Sequence, residues 1–215
     1  MQAASGFQQD MVSELKNEIS RRTGERNPYL GIVHRLDQPV EGLLVFAGSK
    51  QAAARLSAQL ADGTMQKRYV AVLAGVPEEK QGIRVDYLKK DNRSGRSLIV
   101  SGEDKLGKRA ELSYRIMEEQ PPYALAEIEI RTGRYHQIRA QMAHMGYPLV
   151  GDYKYGGQEV GKGDDMIKVR NAGLALCACY LAFQNPETGK RQQFTVRPEN
   201  PVFEIFRETL IKTLP

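Results

Sequence analysis

The stretch HRLDQPVEGLLVFA, residues 34–47, sets one carboxylate among basic residues directly before a short apolar run. Asp37 is that carboxylate, and Arg35 precedes it by two positions, so both side chains lie on one face if the chain is extended. A nearby guanidinium favours the charged form of an aspartate, and an ionised, oriented aspartate can act as a nucleophile. The apolar run at residues 43–47 is short and continuous, which predicts a buried strand.

Length, composition and charge define the class of protein. The chain has 215 residues, of which 41% are hydrophobic, enough for one sizeable domain but not for two large ones. The net charge is +5, with basic clusters such as residues 89–96. Such clusters suit a polyanionic partner or form a solvated face. No apolar stretch reaches the ~18 residues of a membrane-spanning helix and no signal pattern is present, so we expect a soluble, cytoplasmic protein.

Strand signals dominate the middle and the end of the chain. Seven strand-like runs, separated by Gly, Pro, Asn and Lys clusters, are predicted at residues 67–73, 83–88, 97–100, 110–117, 123–131, 174–183 and 192–196. The run at 123–131 alternates between apolar and charged residues, which predicts that it covers a core on one side only.

Helical spacing occurs at four places. Apolar residues recur every four positions in residues 7–22, Ser49 can cap a helix that runs through residue 61, and residues 134–145 have helical spacing. Asn200-Pro201 offers a cap and a first-turn proline for a C-terminal helix. The prediction is an α+β fold, with a mixed, mostly antiparallel sheet and flanking helices.

Two further blocks accompany residues 34–47, namely QKRYVAVL at 66–73 and RTGRYHQIRAQMAHMGYPLVGD at 131–152. In their order and spacing, over about residues 31–194, the three blocks resemble the RluA-type branch of the pseudouridine synthases. The resemblance implies the catalytic fold of that family, with 1–215 forming a single catalytic domain and no separate RNA-binding module. The family usually has a strand with a Lys-Pro element ahead of its first helix, and this sequence has no match to it. We therefore expect a missing N-terminal edge strand.

The resemblance also implies the roles of three catalytic residues. Asp37 is the nucleophile, and Arg139 is the partner that holds its carboxylate charged and oriented. Tyr69 stacks on the target base and serves in proton transfer, two tasks that suit the ring and the oxygen of a phenol.

Four more residues are candidates for binding RNA or the target base. Arg35 is expected to fill the gap left by the extruded base. Arg134 and His136 are expected to contact phosphates, with capping or packing as the alternative for each. Leu176 supplies the apolar floor of the pocket, or is simply part of the core.

The implied reaction isomerises a uridine of ribosomal or transfer RNA to pseudouridine. The uridine is flipped out of its stack because its reacting atoms are otherwise inaccessible. Attack of Asp37 on C1′, attack on C6, and a glycal route all remain open. Neither a cofactor nor a metal is expected, and the protein is expected to be a monomer. Cys177 and Cys179, two apart in an apolar run, are predicted to be buried reduced thiols.

Two other functions are compatible with parts of the sequence. A nucleoside or glycoside hydrolase would pair Asp37 with a second carboxylate such as Asp152. However, Asp152 follows a glycine and has the pattern of a turn residue. A catalytically silent RNA-binding protein would show the same salt-dependent binding without forming any modified base.

Overall fold

The computed structural model describes residues 11–157 and 173–214. In chain order the elements are α1 (Met11–Thr23), β1 (Gly31–Ile32), β2 (Glu41–Gly42), β3 (Phe46–Ala47), α2 (Lys50–Ala61), β4 (Gln66–Ala74), β5 (Gln81–Asp91), β6 (Arg96–Val100), β7 (Lys108–Gln120), β8 (Tyr123–Ile130), α3 (Gln137–His144), β9 (Leu176–Gln184), β10 (Arg191–Thr195), a 3₁₀ helix (Pro201–Phe206) and α4 (Arg207–Thr213). No helix in these ranges has the length and apolar character needed to span a membrane.

The chain forms two compact units. Unit 1 holds Leu43–Gln66 and Leu181–Phe194 together with the chain up to Gln38, and unit 2 holds Pro39–Gly42, Lys67–Tyr180 and Thr195–Pro215. Each is described separately below. The expectation of a single catalytic domain stays a prediction.

Unit 2 is built on a sheet with the strand order β9-β4-β8-β7-β5-β6. The pairs β4–β8, β8–β7, β7–β5 and β5–β6 are antiparallel, whereas β2 runs parallel to β9. Gly42 of β2 has φ +117°, and a Cβ there would lie 2.4 Å from the Ala178 carbonyl oxygen, so the approach of β2 to β9 requires glycine. The mixed, mostly antiparallel α+β architecture predicted from the sequence is confirmed.

The first half of β8 is buried on both faces. Ala124 and Ala126 are fully buried on one face, but Leu125 is also fully buried on the other. Leu125 belongs to a core with Val72 and with Phe206 of the 3₁₀ helix near the C-terminus. The prediction that this strand covers a core on one side only is therefore wrong, because the C-terminal helices bring a second apolar layer.

The two cysteines lie in that same core. Cys177 and Cys179 lie two residues apart in β9 and so share a face; each is 1% exposed and carries a free thiol. Burial raises the pKa of Cys179 to about 12. The prediction of buried, reduced thiols on one face is confirmed.

Unit 1 has a smaller core under α2. Ala52 and Leu56 of this helix pack with Met65, Leu181 and Phe183. The hydroxyl of Ser49 accepts a hydrogen bond from the backbone N–H of Ala52 at 3.1 Å, and the helix ends at Ala61. The predicted N-cap and C-terminus are thus confirmed. Helix α1 has no buried residue, and the first residues of its predicted span, 7–10, lie outside the described part of the chain.

Three local predictions differ from the structure. Within residues 43–47 only β3 is a strand, and the Val45 N–H instead donates to Nε2 of His34 at 3.3 Å. The C-terminal helix begins as a 3₁₀ helix after Asn200, whose side chain accepts from the Val202 N–H at 3.0 Å. Helix α3 begins at Gln137 and not at residue 134, because His136 has φ +50° and interrupts the helical geometry.

Candidate active site

The Asp37 segment lies between β1 and β2 and has no regular secondary structure. Leu36 is 6% exposed and anchors the segment, while Arg35 is exposed and Asp37 is half-buried. His34 binds the Val45 N–H and so connects the start of the segment to the chain that follows it in unit 1. The structure therefore places the nucleophile candidate beside a buried leucine, in a backbone fixed by side-chain contacts and not by a long strand.

Tyr69 lies in β4 directly opposite Ile128 of β8, and it is 6% exposed. Strand alternation puts its side chain on the face opposite Val70, which belongs to the Phe206 core. Leu176, at the start of β9, is 3% exposed. Both candidates are thus in unit 2, and the near-complete burial of Leu176 fits either of its two predicted roles.

Arg139 is the buried centre of a polar network in unit 2. Its guanidinium forms a bidentate ion pair with Asp152, with Nε 2.7 Å from Oδ2 and Nη2 2.7 Å from Oδ1. Nη1 lies 3.2 Å from Nε2 of His136, and the guanidinium carbon lies 5.2 Å from the centre of the Tyr155 ring. The side chains of Arg139 and Asp152 are 6% and 0% exposed. Such a charge-assisted pair fixes both position and orientation of the guanidinium.

A tight turn presents Asp152 to this arginine. The Asp152 N–H donates to the Leu149 carbonyl at 3.1 Å, and its own carbonyl accepts from Tyr155 and Gly157 at 3.1 and 2.9 Å. A Cβ on Gly157 would lie 1.8 Å from the Leu149 oxygen, so only glycine fits there. Asp152 is therefore a turn residue, as its sequence pattern indicates, and it is also the buried counter-ion of Arg139, which sequence reasoning missed.

His136 is neutral and has a defined tautomer. Its ring stacks on Tyr135 with the centroids 3.8 Å apart, and Nδ1 lies 3.0 Å from the Tyr155 hydroxyl. Because a guanidinium can only donate, Nε2 must accept from Arg139, which puts the proton on Nδ1. Burial, followed by the charges of Arg139 and Lys154, lowers the pKa of His136 to about 4. His136 is 7% exposed, so its surroundings are those of a packed residue, and a phosphate contact stays a prediction.

Side-chain hydrogen bonds fasten the loop that leads into α3. Oε1 of Gln137 accepts from the Arg134 N–H at 3.0 Å and from the Thr132 hydroxyl at 2.8 Å, and its Nε2 donates to the Glu111 carbonyl at 3.0 Å. Arg134 is exposed, and its Nε donates to the Arg109 carbonyl at 2.9 Å. The guanidinium of Arg134 is therefore oriented at the surface, next to the buried network.

The structure brings some of the predicted site residues into contact. His136 touches Arg139 directly, and Arg134 lies in the loop leading to them. Asp37 belongs to unit 1, so its pairing with Arg139 remains a proposal. The sequence analysis gave no role to Tyr155 or Lys154. A sequence signal for a functional segment here is that the third block extends to residues 151–152, directly before them.

Comparison with known proteins identifies the family. Residues 7–144 match the family model described as RNA pseudouridylate synthase. An RNA pseudouridine synthase of Bacillus subtilis is 34% identical over 82% of this chain and 54% of its own length. The ribosomal large subunit pseudouridine synthase D of Zymomonas mobilis is 31% identical over 97% of this chain and 66% of its own length. The chain thus spans about half to two thirds of the length of the curated relatives that it matches.

A solved structure agrees on the fold. The structure titled Human RNA Pseudouridylate Synthase Domain Containing 4 superposes with a TM-score of 0.74 at 20% identity, covering 95% of this chain and 84% of its own. A similarity at this identity supports the fold alone. The family match over residues 7–144 shows that the chain belongs to the RNA pseudouridylate synthase family.

Proposed function

We propose that this protein isomerises specific uridines in a structured ribosomal or transfer RNA to pseudouridine, with Asp37 as nucleophile. Membership of the family supports the reaction class. The observation that carries the proposal for this chain is the buried, bidentate Arg139–Asp152 pair within the third sequence block. It fixes a cation that can hold a second carboxylate in its charged form.

Arg139 has the donors needed to hold two carboxylates. A guanidinium has five N–H groups, and the contacts with Asp152 and His136 are made through Nε, Nη1 and Nη2. The pairing with Asp37 that the family implies would add a second carboxylate. The arginine would then act as a bridge whose position is set by Asp152 and whose function is to orient the nucleophile.

The reaction begins with extrusion of the uridine from its stack. On the C1′ route the Asp37 carboxylate attacks C1′ and the bond from C1′ to N1 breaks. The base then turns, C5 bonds to C1′ as the carboxylate leaves, and the C5 proton is lost while N1 gains one. Attack on C6 and a glycal intermediate lead to the same product, and the geometry described above is compatible with all three routes.

The other candidate residues have proposed supporting roles. Tyr69 stacks on the base and takes part in proton transfer, and Leu176 forms the apolar floor. Arg35, which is exposed, fills the space of the extruded base, and Arg134 contacts a phosphate. Besides the predicted phosphate contact, we assign His136 a second role, which is to accept a hydrogen bond from Nη1 of Arg139. The packing around its ring supports this role.

The proposal also covers the partner, the cofactor requirement, the oligomeric state and the location of the enzyme. RNA is the partner, no cofactor or metal takes part, and the protein acts as a monomer in the cytoplasm through a single catalytic domain. Isomerisation exchanges one bond for another within the nucleotide, so that neither an oxidant nor a reductant is needed.

A hydrolase that uses Asp152 as its acid fits the structure less well. Both carboxylate oxygens of Asp152 accept hydrogen bonds from Arg139, whereas a general acid needs a proton on one of them. A hydrolase would release free uracil from RNA, and an isomerase would not.

Mapping of pseudouridine across total RNA tests the proposed function. Cells with and without the gene are compared, and a gene restored with Asp37→Asn serves as the matched control. We expect one or more pseudouridines to disappear with the gene and to return only with the wild-type copy. An unchanged map would contradict the proposed function.

A further inference from the structure

The β5–β6 hairpin presents two neighbouring lysines to opposite faces. Successive side chains of a strand alternate, so Lys89 and Lys90 point in opposite directions. Lys89 forms an ion pair with Asp104, with its Nζ 3.1 Å from Oδ2. Lys90 is exposed and is the register partner of Ser97, whose hydroxyl donates to the Tyr135 carbonyl. Only Lys90 therefore lies on the side of the hairpin that contacts the loop before α3.

Tyr135 holds the Lys90 ammonium at the surface. The Nζ atom lies 4.9 Å from the centre of the Tyr135 ring, within the range of a cation–π contact. The same ring also stacks on His136, with the two centroids 3.8 Å apart. The Tyr135 hydroxyl donates to the Gly95 carbonyl at 3.3 Å, which ties the ring to the tip of the hairpin.

Lys154 adds a second ammonium at the same place. Its Nζ donates to the same Gly95 carbonyl at 3.4 Å, and the residue is exposed. Within the described residues neither Lys90 nor Lys154 forms an ion pair with a carboxylate. Both lysines act electrostatically on His136, as Arg139 does, and of the groups that act on that ring only the Asp152 charge opposes them. Both lysines therefore add positive charge beside the Tyr135 ring.

We propose that Lys90 and Lys154, held around Tyr135, bind the phosphate backbone of the RNA that flanks the reacting nucleotide. The inference rests on the proposed function in taking RNA as the ligand. An ammonium binds phosphate as a point charge. The Tyr135 ring contacts both the His136 ring and the Lys90 ammonium. Contacts of this kind to phosphate position the RNA backbone and carry no sequence information.

The test measures how binding of an oligoadenylate depends on salt. This RNA lacks uridine, so binding is separated from catalysis. Each phosphate contact on a single strand contributes about 0.7 to the slope of log affinity against log salt. We expect Lys90→Gln and Lys154→Gln each to reduce the slope by about 0.7, and Lys90→Arg to retain it.

Lys89→Gln is the matched control, because it removes the same charge from the adjacent residue on the opposite face. We expect it to leave the slope nearly unchanged. An equal reduction by Lys89→Gln and Lys90→Gln, or no reduction by Lys90→Gln and Lys154→Gln, would overturn the proposal. Tritium release from uridine-labelled RNA by the wild-type protein is measured in parallel. Its absence would contradict the proposed function, while the slopes would still decide whether this surface binds RNA.

Discussion

The Asp37 segment and the Arg139 network place their charged groups in opposite ways. Asp37 lies half-buried in an irregular stretch between two strands of only two residues each. Arg139 lies on a helix, 5% exposed, with its guanidinium held by Asp152 and His136. The proposed nucleophile therefore lies on irregular backbone, whereas the arginine proposed to pair with it lies on a helix.

This difference predicts which substitutions should lower the stability of the fold and which should lower only the activity. Removing one partner of a buried ion pair leaves an uncompensated charge in the interior, which is costly. Replacing the half-buried Asp37 by an amide of nearly the same volume leaves Arg139 still paired with Asp152. Substitutions in the Arg139 network should therefore damage the fold and the activity together, whereas those at Asp37 and Tyr69 should damage activity alone.

The largest effect on stability is expected from breaking the ion pair. Arg139→Ala and Asp152→Asn should each lower the free energy of unfolding by about 3–5 kcal/mol. The double variant should lose less than the sum, because the two groups share one interaction. Chemical denaturation followed by circular dichroism measures this, with Asp37→Asn as the control. Strictly additive losses would show that the two residues do not act as a pair.

A smaller effect should appear when pH is lowered. The pKa of His136 falls from its ordinary 6.5 to about 4 in the folded protein, so the unfolded chain binds the proton first. Stability from neutral His136 is therefore complete above pH 6.5 and is lost as pH falls towards 4, by on the order of 3 kcal/mol. The unfolding free energy of His136→Gln should depend less steeply on pH over this window. Parallel curves for the variant and the wild type would contradict the assignment.

Tyr69→Phe tests a site residue in the sheet of unit 2. The ring keeps its stacking face and loses only the hydroxyl, so RNA binding should remain near normal. Turnover should fall by about 10²-fold, the lower end of what a proton-transfer group contributes. Single-turnover kinetics at saturating RNA separate the two quantities. Near-normal turnover would leave Tyr69 as a stacking residue alone.

Chelation should have no effect. Within the described residues, no group of three or more His, Cys, Asp or Glu side chains is arranged to hold a metal ion. We expect the rate in EDTA to equal the untreated rate when the folding of the RNA is controlled. Activity lost in EDTA and restored by a divalent ion would require a metal that the proposed reaction does not include.

Local sequence patterns predicted the helices and strands well where interactions between residues close in sequence determine them. Ser49 capping of α2 and the runs that became β4 to β8 depend on neighbours in sequence. The second buried face of β8 was missed because it is covered by the C-terminal helices, which lie some 80 residues further along the chain. The start of α3 was missed because a histidine in sequence gives no indication of the positive φ that His136 adopts.

The site was predictable as a set of motifs but not as a network. Asp152 lies 13 residues from Arg139, on a turn whose direction depends on the close approach of Gly157 to Leu149. Nothing in the residue types alone indicates that the turn delivers a carboxylate to the guanidinium. Lys89 and Lys90 have equal charge in the sequence, and only strand register separates the ion-paired residue from the exposed one.

The most direct test compares tritium release from RNA labelled at C5 of uridine for the wild-type protein and Asp37→Asn. Release reports loss of the C5 proton after the new carbon–carbon bond has formed. We expect the wild type to release tritium without free uracil, and folded Asp37→Asn to be slower by at least ~10³-fold. Release by folded Asp37→Asn at the wild-type rate would contradict the assignment of Asp37 as the nucleophile of a pseudouridine synthase.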